Sequence, residues 1–366
     1  MKLGIVLPRG MHFSKTGATS IDLVARDLVL RSRFQADTCV VGGLVENPFP
    51  DVNFIPVPPK AIAKNAAIIL QRECPDLVVV HQHAESASFI ARRLPHLPVV
   101  LHRHGLMRHK RGLLSRWRKG RALKHLSAAI FVSDYIRSSF LAAYPQNNLP
   151  TFVVPNGVDG VSWEPSETKE KTIVYVGRAR EDKGVIHLLD AFLRAKPDTW
   201  RLHLVLAVQT QDERRIFEKI TGKACSHTGV VIEKNLDFTQ VQRALGRASI
   251  AALPSIVAEG FPRAVVEAMA CKCAIITTPT GGTPEAAGDT VHYLPMPGAP
   301  DFLQQIAAAL QLVMEDIDYR KKLASAARER FEAQIEIGRV AKRYDDVLET
   351  ILKTRTADTR QPENTR

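Results

Sequence analysis

The chain has 366 residues, 45 % hydrophobic and 24 % charged, with a formal net charge of +12. At about 150 residues per domain this points to two globular domains, each able to bury its own core, and excludes a disordered or fibrous chain. No apolar run approaches the ~18 residues of a membrane span, the opening "MKLGIVLPRG" is too short for a signal-peptide core, and five scattered cysteines make no disulfide framework, so a cytoplasmic protein is expected.

Five short runs come first: "KLGIVL" (2–7), "DTCVVG" (37–42), "DLVVVH" (76–81), "PVVLH" (98–102) and "AAIFVS" (128–133). They are continuously apolar rather than alternating, as strands of a parallel sheet covered on both faces are. Helical patterns at 19–33 and 61–73 lie among them, and the turn-forming "TFVVPNGVDG" (151–160) follows. The pattern then restarts with "TIVYVG" (172–177), "RLHLVLA" (201–207), "GVVIE" (229–233), "SIAALP" (249–254), "CAIITT" (273–278) and "VHYLP" (291–295). Helices at 185–196, 212–220, 262–270 and 301–314 separate these strands, and two more, 319–331 and 337–351, come after the last. This βα alternation, run twice, predicts an α/β fold of two doubly wound, Rossmann-like domains joined near 156–164. The polar end, 356–366, is expected to be disordered.

In open sheets of this kind ligands bind beyond the carboxyl ends of the strands, so the residues just after strands carry the chemistry. "TIVYVG" runs into Arg178, and the loop to the next helix closes on Lys183 and Gly184. A helix N-terminus with an Arg and a Lys beside it can hold a diphosphate. The same residues also admit a solvated loop in which the cations pair with Glu181 and Asp182. In "EGFPRAVVEAMA", Glu259 precedes a turn, Gly260 allows close backbone approach, and Pro262 suits the first helical position, with amides around Phe261 facing a ligand. Glu267 lies four residues after Arg263. It is either one half of a surface pair worth ~0.3 kcal/mol or a carboxylate aimed at a ribose. Gly281-Gly282 and Glu285 follow the next strand, where a bare Gly-Gly turn is a weak signal.

In the first half His81, His83, His102 and His104 end two strands without an accompanying carboxylate or thiol, which argues for hydrogen-bonded loop residues over a metal site; His104, before Gly105, can face a substrate hydroxyl. Cys271-Lys272-Cys273 has no second pair at metal-binding spacing. The loop "PRGMHFSKTGATS", with Gly10 and Gly17, is neither a Walker loop nor Gly-x-Gly-x-x-Gly, so neither ATP hydrolysis nor NAD is supported. Asp316-Ile317-Asp318 imitates the Asp-x-Asp of metal-dependent sugar transfer but lies between helices, where Asp318 reads as a helix cap. No metal and no cofactor are expected. From 86 to 133 there is no acidic residue, and 103–124 carries nine Lys/Arg interleaved with Leu106, Met107, Leu113, Leu114, Trp117 and Leu123. Such a run suits an anionic membrane surface; the bland reading is a cationic helix whose apolar residues belong to the core. It lacks a nucleic-acid reading motif and base-stacking aromatics, so no nucleic-acid partner is expected.

Together "VPNGVD", "VYVGRAREDKGVIHLLDAF", "ALPSIVAEGFPRAVVEAMACKCAIITTPTGGTPE" and, earlier, "VVVHQH", "VVLHRHG" and "FVSDYIR" resemble the retaining glycosyltransferases of family 4, over about residues 1–345. The resemblance implies a GT-B fold, two facing Rossmann-like domains with helices after the second. It divides the chain into an acceptor-side domain (1–155), a nucleotide-sugar domain (156–335) and a helix (336–355) returning to the first. It implies a hexosyltransferase that moves a sugar, with retention and without a metal, from a nucleotide-diphosphate donor. UDP is the expected nucleotide, and the acceptor a glycan or glycolipid, as in lipopolysaccharide synthesis at the inner face of the membrane. Arg178 and Lys183 would bind the diphosphate, Glu259 the donor sugar and Glu267 the ribose hydroxyls. Gly260, Phe261 and Pro262 would lie against the sugar and phosphates, and His104 and the Gly17 loop would line the acceptor side. The chain departs from the family where "TGA" stands for two adjacent glycines in the first loop, and "GVVIEKNLDFTQVQRAL" places no base contacts. A nucleotide-sugar epimerase or a sugar phosphorylase on the same fold, a transferase with a soluble acceptor and a nucleic-acid-binding protein are the competing readings.

Overall fold

The computed structural model describes residues 1–107, 120–195 and 198–358. The chain forms two compact units, 1–157 with 337–366, and 158–336.

The first unit is built on seven parallel strands: β1 Leu3–Val6, β2 Thr38–Gly43, β3 Phe54–Val57, β4 Leu77–His81, β5 Val99–Arg103, β6 Ala128–Phe131 and β7 Thr151–Val153. Their order is β3-β2-β1-β4-β5-β6-β7. Helices α1 Ser20–Arg31, α2 Ile62–Glu73, α3 Ala84–Arg93 and α4 Asp134–Ala143 make the crossovers. The five central strands are the ones marked by the continuous apolar runs, and they are buried throughout apart from Gly43. The sequence pattern leaves out β3 and β7 because both are edge strands and only partly buried. β3 also contains Pro56, a residue that sheets tolerate at an edge.

The second unit has six parallel strands: β8 Glu170–Arg178, β9 Arg201–Ala207, β10 Val230–Lys234, β11 Ala248–Leu253, β12 Ala274–Thr277 and β13 His292–Tyr293, in the order β10-β9-β8-β11-β12-β13. Its helices are α5 Val185–Ala195, α6 Gln211–Ala224, α7 Phe238–Arg247, α8 Arg263–Ala270, α9 Thr283–Ala287, α10 Phe302–Glu315 and α11 Ile317–Arg330. The strand order reverses between β8 and β11, which makes the carboxyl ends of these two strands the switch point of the sheet.

Two local expectations change. α11 starts at Ile317, two residues earlier than its apolar pattern suggests, so the cap is Asp316, whose carboxylate accepts from the Tyr319 N–H at 2.8 Å; Asp318 lies in the first turn. Pro262 is the residue before α8 rather than its first, because its ψ of 111° is extended.

The last helix, α12 Ile337–Asp358, belongs to the first unit. Its Val340, Ala341, Tyr344, Leu348 and Ile351 join the core formed with Leu3, Ile5, Val24 and Leu28. Asp345 fastens it to the end of α1, accepting from Ser32 Oγ at 2.7 Å and from the Arg33 N–H at 2.9 Å. Leu348→Ala should therefore cost about 2–5 kcal/mol of first-unit stability, read as a shift in its urea midpoint; a loss under about 1 kcal/mol would mean the helix is not packed in that core.

Candidate functional site

The switch point of the second unit is assembled from three loops. After β8 the chain makes a tight turn through Glu181–Lys183, then Gly184 in the left-handed region at φ 72° before α5 begins. A Cβ on Gly184 would come within 1.9 Å of the Pro254 carbonyl oxygen, so the residue must be glycine for the loop after β8 to lie on the loop after β11. The Ile256 and Val257 N–H groups both donate to the Asp182 carbonyl, at 2.9 and 3.1 Å. The third loop follows β12. Gly281, at φ 61°, pairs with Glu259 in a parallel bridge, and the Gly282 N–H donates to the Glu259 carbonyl at 2.8 Å. A Cβ on Gly281 would lie 2.2 Å from that carbonyl oxygen. The Gly-Gly turn, weak evidence as a sequence signal, is what seats the backbone of Glu259.

On this frame the side chains meet in pairs. Lys183 Nζ donates to Glu259 Oε1, which also accepts from Ser255 Oγ at 3.0 Å. Arg178 Nε donates to Oε1 of Glu213, at the start of α6. Neither cation takes the neighbours in sequence that a solvated loop would offer: Asp182 pairs with Arg180 and Glu181 with Lys219. Arg263 and Glu267 also differ from an ordinary surface pair. Their side chains are only 5 % and 8 % exposed, and Arg263 Nε donates to Glu267 Oε1 at 2.7 Å. α8 itself is buried on nearly every side. Gly260, Phe261 and Pro262 link Glu259 to the start of α8, with Phe261 buried.

Sequence reasoning missed Ser255, Tyr175 and Glu213. Tyr175 is buried beneath the loop, where its hydroxyl donates to the Arg178 carbonyl at 3.2 Å and burial, reinforced by Glu259, pushes its pKa up. Burial alone would raise the Glu213 carboxyl. The N–H groups of Gln209 and Thr210 and the Arg178 guanidinium outweigh that and hold it below the ordinary carboxylate range. The visible signal was the Thr210-x-x-Glu213 capping box, which marks a helix start and not a site.

In the first unit, His81 and His104 share a 2.9 Å hydrogen bond between Nδ1 and Nε2, and the His102 ring lies 4.4 Å from that of His104. His104 also shares a side-chain hydrogen bond with Asn156, which favours the protonated ring and only partly offsets burial. Ring nitrogens of all three lie within 4.8 Å of one another, close enough to share an ion. Among the described residues no carboxylate joins the three, and the Arg103 charge acts on His104. Burial lowers the pKa of all three, that of His81 to about 3, so the cluster is neutral at pH 7. Gly17 stands in the left-handed region at φ 79°, in the loop from β1 to α1. His83, by contrast, caps α3 by accepting from the Ser86 N–H. Cys271 and Cys273 are buried thiols whose pKa burial raises, which disfavours a metal thiolate.

Of the basic run 103–124, residues 108–119, Trp117 among them, lie outside the described residues. Arg103 does not face a membrane as that reading supposed: it is buried and donates to the carbonyls of Gln82, Gly105 and Leu106. Leu123 is likewise a core residue. Among the described residues no helix is long and apolar enough to cross a membrane.

The chain matches the family Glycosyltransferase Family 4 over residues 23–160 and the family Glycosyl transferases group 1 over residues 163–330. It is 26 % identical over 325 residues to the alpha-maltose-1-phosphate synthase of Mycobacterium tuberculosis H37Rv, covering 78 % of this chain and 82 % of that one. Among solved structures, the sucrose-phosphate synthase of Thermosynechococcus elongatus superposes with a TM-score of 0.77 at 16 % identity, over 97 % of this chain and 100 % of that one. HepE of Anabaena, in complex with UDP-glucose, does so with a TM-score of 0.76 at 15 % identity, over 96 % and 100 %.

The three clustered histidines set a pH dependence. A histidine whose folded pKa is lowered takes up its proton in the unfolded chain first, so its contribution is intact above about pH 6.5 and is lost as the pH falls from there toward the folded value. First-unit stability should fall by up to ~1.4 kcal/mol per pH unit for each such group. Urea midpoints between pH 7.5 and 5 should show this slope, and His102→Phe should flatten it by about a third; an unchanged slope would mean that His102 titrates normally.

Proposed function

The chain belongs to glycosyltransferase family 4 and is a glycosyltransferase, and from that premise we propose that it transfers a sugar, with retention and without a metal, from a nucleotide-diphosphate sugar to an acceptor hydroxyl. The observation that carries this reading is the Lys183–Glu259 pair, a cation and a carboxylate brought from the ends of two adjacent strands to the switch point of the sheet. Breaking the anomeric C–O bond leaves positive charge on the sugar and negative charge on the departing diphosphate. Lys183 and Arg178, with the amides that open α5, answer the negative charge, which is the task a metal performs in other transferases. Glu259 answers the positive charge and orients the sugar hydroxyls. Gly260, Phe261 and Pro262 pack against sugar and phosphate, and Glu267, fixed by Arg263, accepts from the ribose. His104, as a neutral imidazole, and the Gly17 loop serve the acceptor side.

UDP is the proposed nucleotide, supported by the UDP-glucose held in the HepE structure. For the acceptor we propose a glycan or glycolipid of the cell surface, such as a lipopolysaccharide precursor, with the basic run 103–124 as its membrane contact and the cytoplasmic face as its place of work. The relatives are named for synthases of maltose 1-phosphate and sucrose phosphate, so sugar phosphates stand beside lipid extracts in the acceptor trial.

Turnover of UDP- and GDP-sugars against these acceptors tests the reading. Lys183→Ala should lower kcat/KM at least 100-fold with the fold intact, and EDTA should leave the wild-type rate unchanged. Near-normal turnover in the variant, a strict Mg²⁺ requirement, or epimerised or phosphorolysed product without an acceptor would each overturn it. For the membrane part, the protein should sediment with vesicles containing anionic lipid and not with neutral ones; sedimentation indifferent to lipid charge would remove it.

A further inference from the structure

We propose that Glu213 is a positioning residue for the donor diphosphate: it grips Arg178 by the Nε edge and so aims the two Nη groups at the phosphates. The inference rests on the reading of Arg178 given above. Glu213 is a buried carboxylate, its side chain 1 % exposed, whereas that of Arg178 is 42 % exposed. Its Oε2 accepts from the N–H groups of Gln209, at 2.8 Å, and Thr210, at 3.0 Å. Its Oε1 accepts from Arg178 Nε. Among the described residues neither Nη nitrogen of Arg178 has a hydrogen-bond partner. The guanidinium is held from behind, with its forked face open.

The fold explains why this carboxylate reaches this cation. β8 and β9 are neighbours in register, Arg178 opposite Ala207, and the Ala179 N–H donates to the Ala207 carbonyl at 3.0 Å. The first turn of α6, just after β9, therefore stands beside the end of β8. A glutamate at the third position of that helix folds back to cap its own N-terminus and spends its second oxygen on Arg178. An arginine on an exposed strand end would otherwise sample many rotamers, and a bidentate grip on a phosphate requires one.

This arrangement differs from an ordinary helix cap in what it predicts. Gln can occupy the third position of a capping box, so Glu213→Gln keeps an oxygen for the two backbone N–H groups and loses the carboxylate that holds Arg178. Thr210→Ala removes the other half of the box, in which Thr210 Oγ1 accepts from the Glu213 N–H at 3.3 Å, and leaves the carboxylate in place. Binding of UDP, GDP and inorganic pyrophosphate to the full chain, measured by titration calorimetry, separates the two roles. Arg178→Ala should weaken whichever of these probes the wild type binds. Glu213→Gln should weaken it about tenfold with the melting temperature within about 2 °C of wild type, and the double variant should bind no worse than Arg178→Ala alone. Thr210→Ala should lower the melting temperature and leave binding unchanged. Binding by Glu213→Gln equal to or tighter than wild type, with Arg178→Ala weakened, overturns the positioning role while the donor site stands. Equal losses in Thr210→Ala and Glu213→Gln also overturn it, since helix fraying then explains both. An Arg178→Ala variant that binds normally, or a wild type that binds none of the three probes, overturns the donor-site reading and this inference with it.

Discussion

The second unit depends on one contact above the others, the ion pair between Lys183 and Glu259. Its two members sit 76 positions apart and come from strands that are neighbours only because the strand order reverses between them. The backbone is shaped around that meeting. Gly184 lets the lysine loop lie against Pro254, and Gly281 lets the loop after β12 lie against the backbone of Glu259. A methyl group at either glycine would overlap a carbonyl oxygen by more than 1 Å relative to a normal contact, and both residues hold a positive φ that other residues adopt at a cost. Loops that carry function are usually the loosest parts of a domain. Here three of them are tied together by hydrogen bonds to the carbonyls of Asp182, Ser255 and Glu259, the second donated by the Thr278 hydroxyl, so side chains at their tips have little freedom to separate.

Most of the sheet could be read from the chain because parallel strands buried on both faces have no polar side to interrupt them. What escaped were the elements with least burial, the edge strands β3 and β7. The site was half legible for a related reason. Arg178, Lys183 and Glu259 stand out because they follow strands, and position alone marks them. Their partners do not. Glu213 looks like a helix cap, and it is one; its second contact exists only once β8 and β9 lie side by side. Ser255 is a loop serine among many. Arg263 and Glu267 fit the spacing of a surface pair, and only the burial of α8 on nearly all sides turns them into an interior one. Spacing reports which residues can meet on a helix and is silent about what lies over them.

The first unit handles its polar residues differently. His81, His102 and His104 stand at the ends of β4 and β5, where adjacent strands bring one imidazole against the next. Burial keeps them uncharged, so they pack as flat polar rings, and a protonated His104 would meet the charge of Arg103. Arg103 opens the basic run and yet works as an internal brace, satisfying three carbonyls of the loops around it. Charge counted along a sequence overstates the charge that a surface presents.

The same correction reaches the proposed donor site. Arg178 and Lys183 are two positive charges, and read as such they suggest a field that draws in a diphosphate. In the folded unit each is matched by a carboxylate, Glu213 behind one and Glu259 beside the other, so the four side chains sum to zero. Long-range attraction from these residues therefore largely cancels, and salt screens what remains. What survives at contact distance is directional: the free fork of Arg178, the ammonium of Lys183 and the amides that open α5. A ligand at this proposed site would meet the open Nη groups of Arg178 directly and would have to share Lys183 with Glu259. A pyrophosphate can do so at both cations at once, because its oxygens offer several acceptors within a few ångströms. A lone carboxylate or chloride is too small to reach both cations at once.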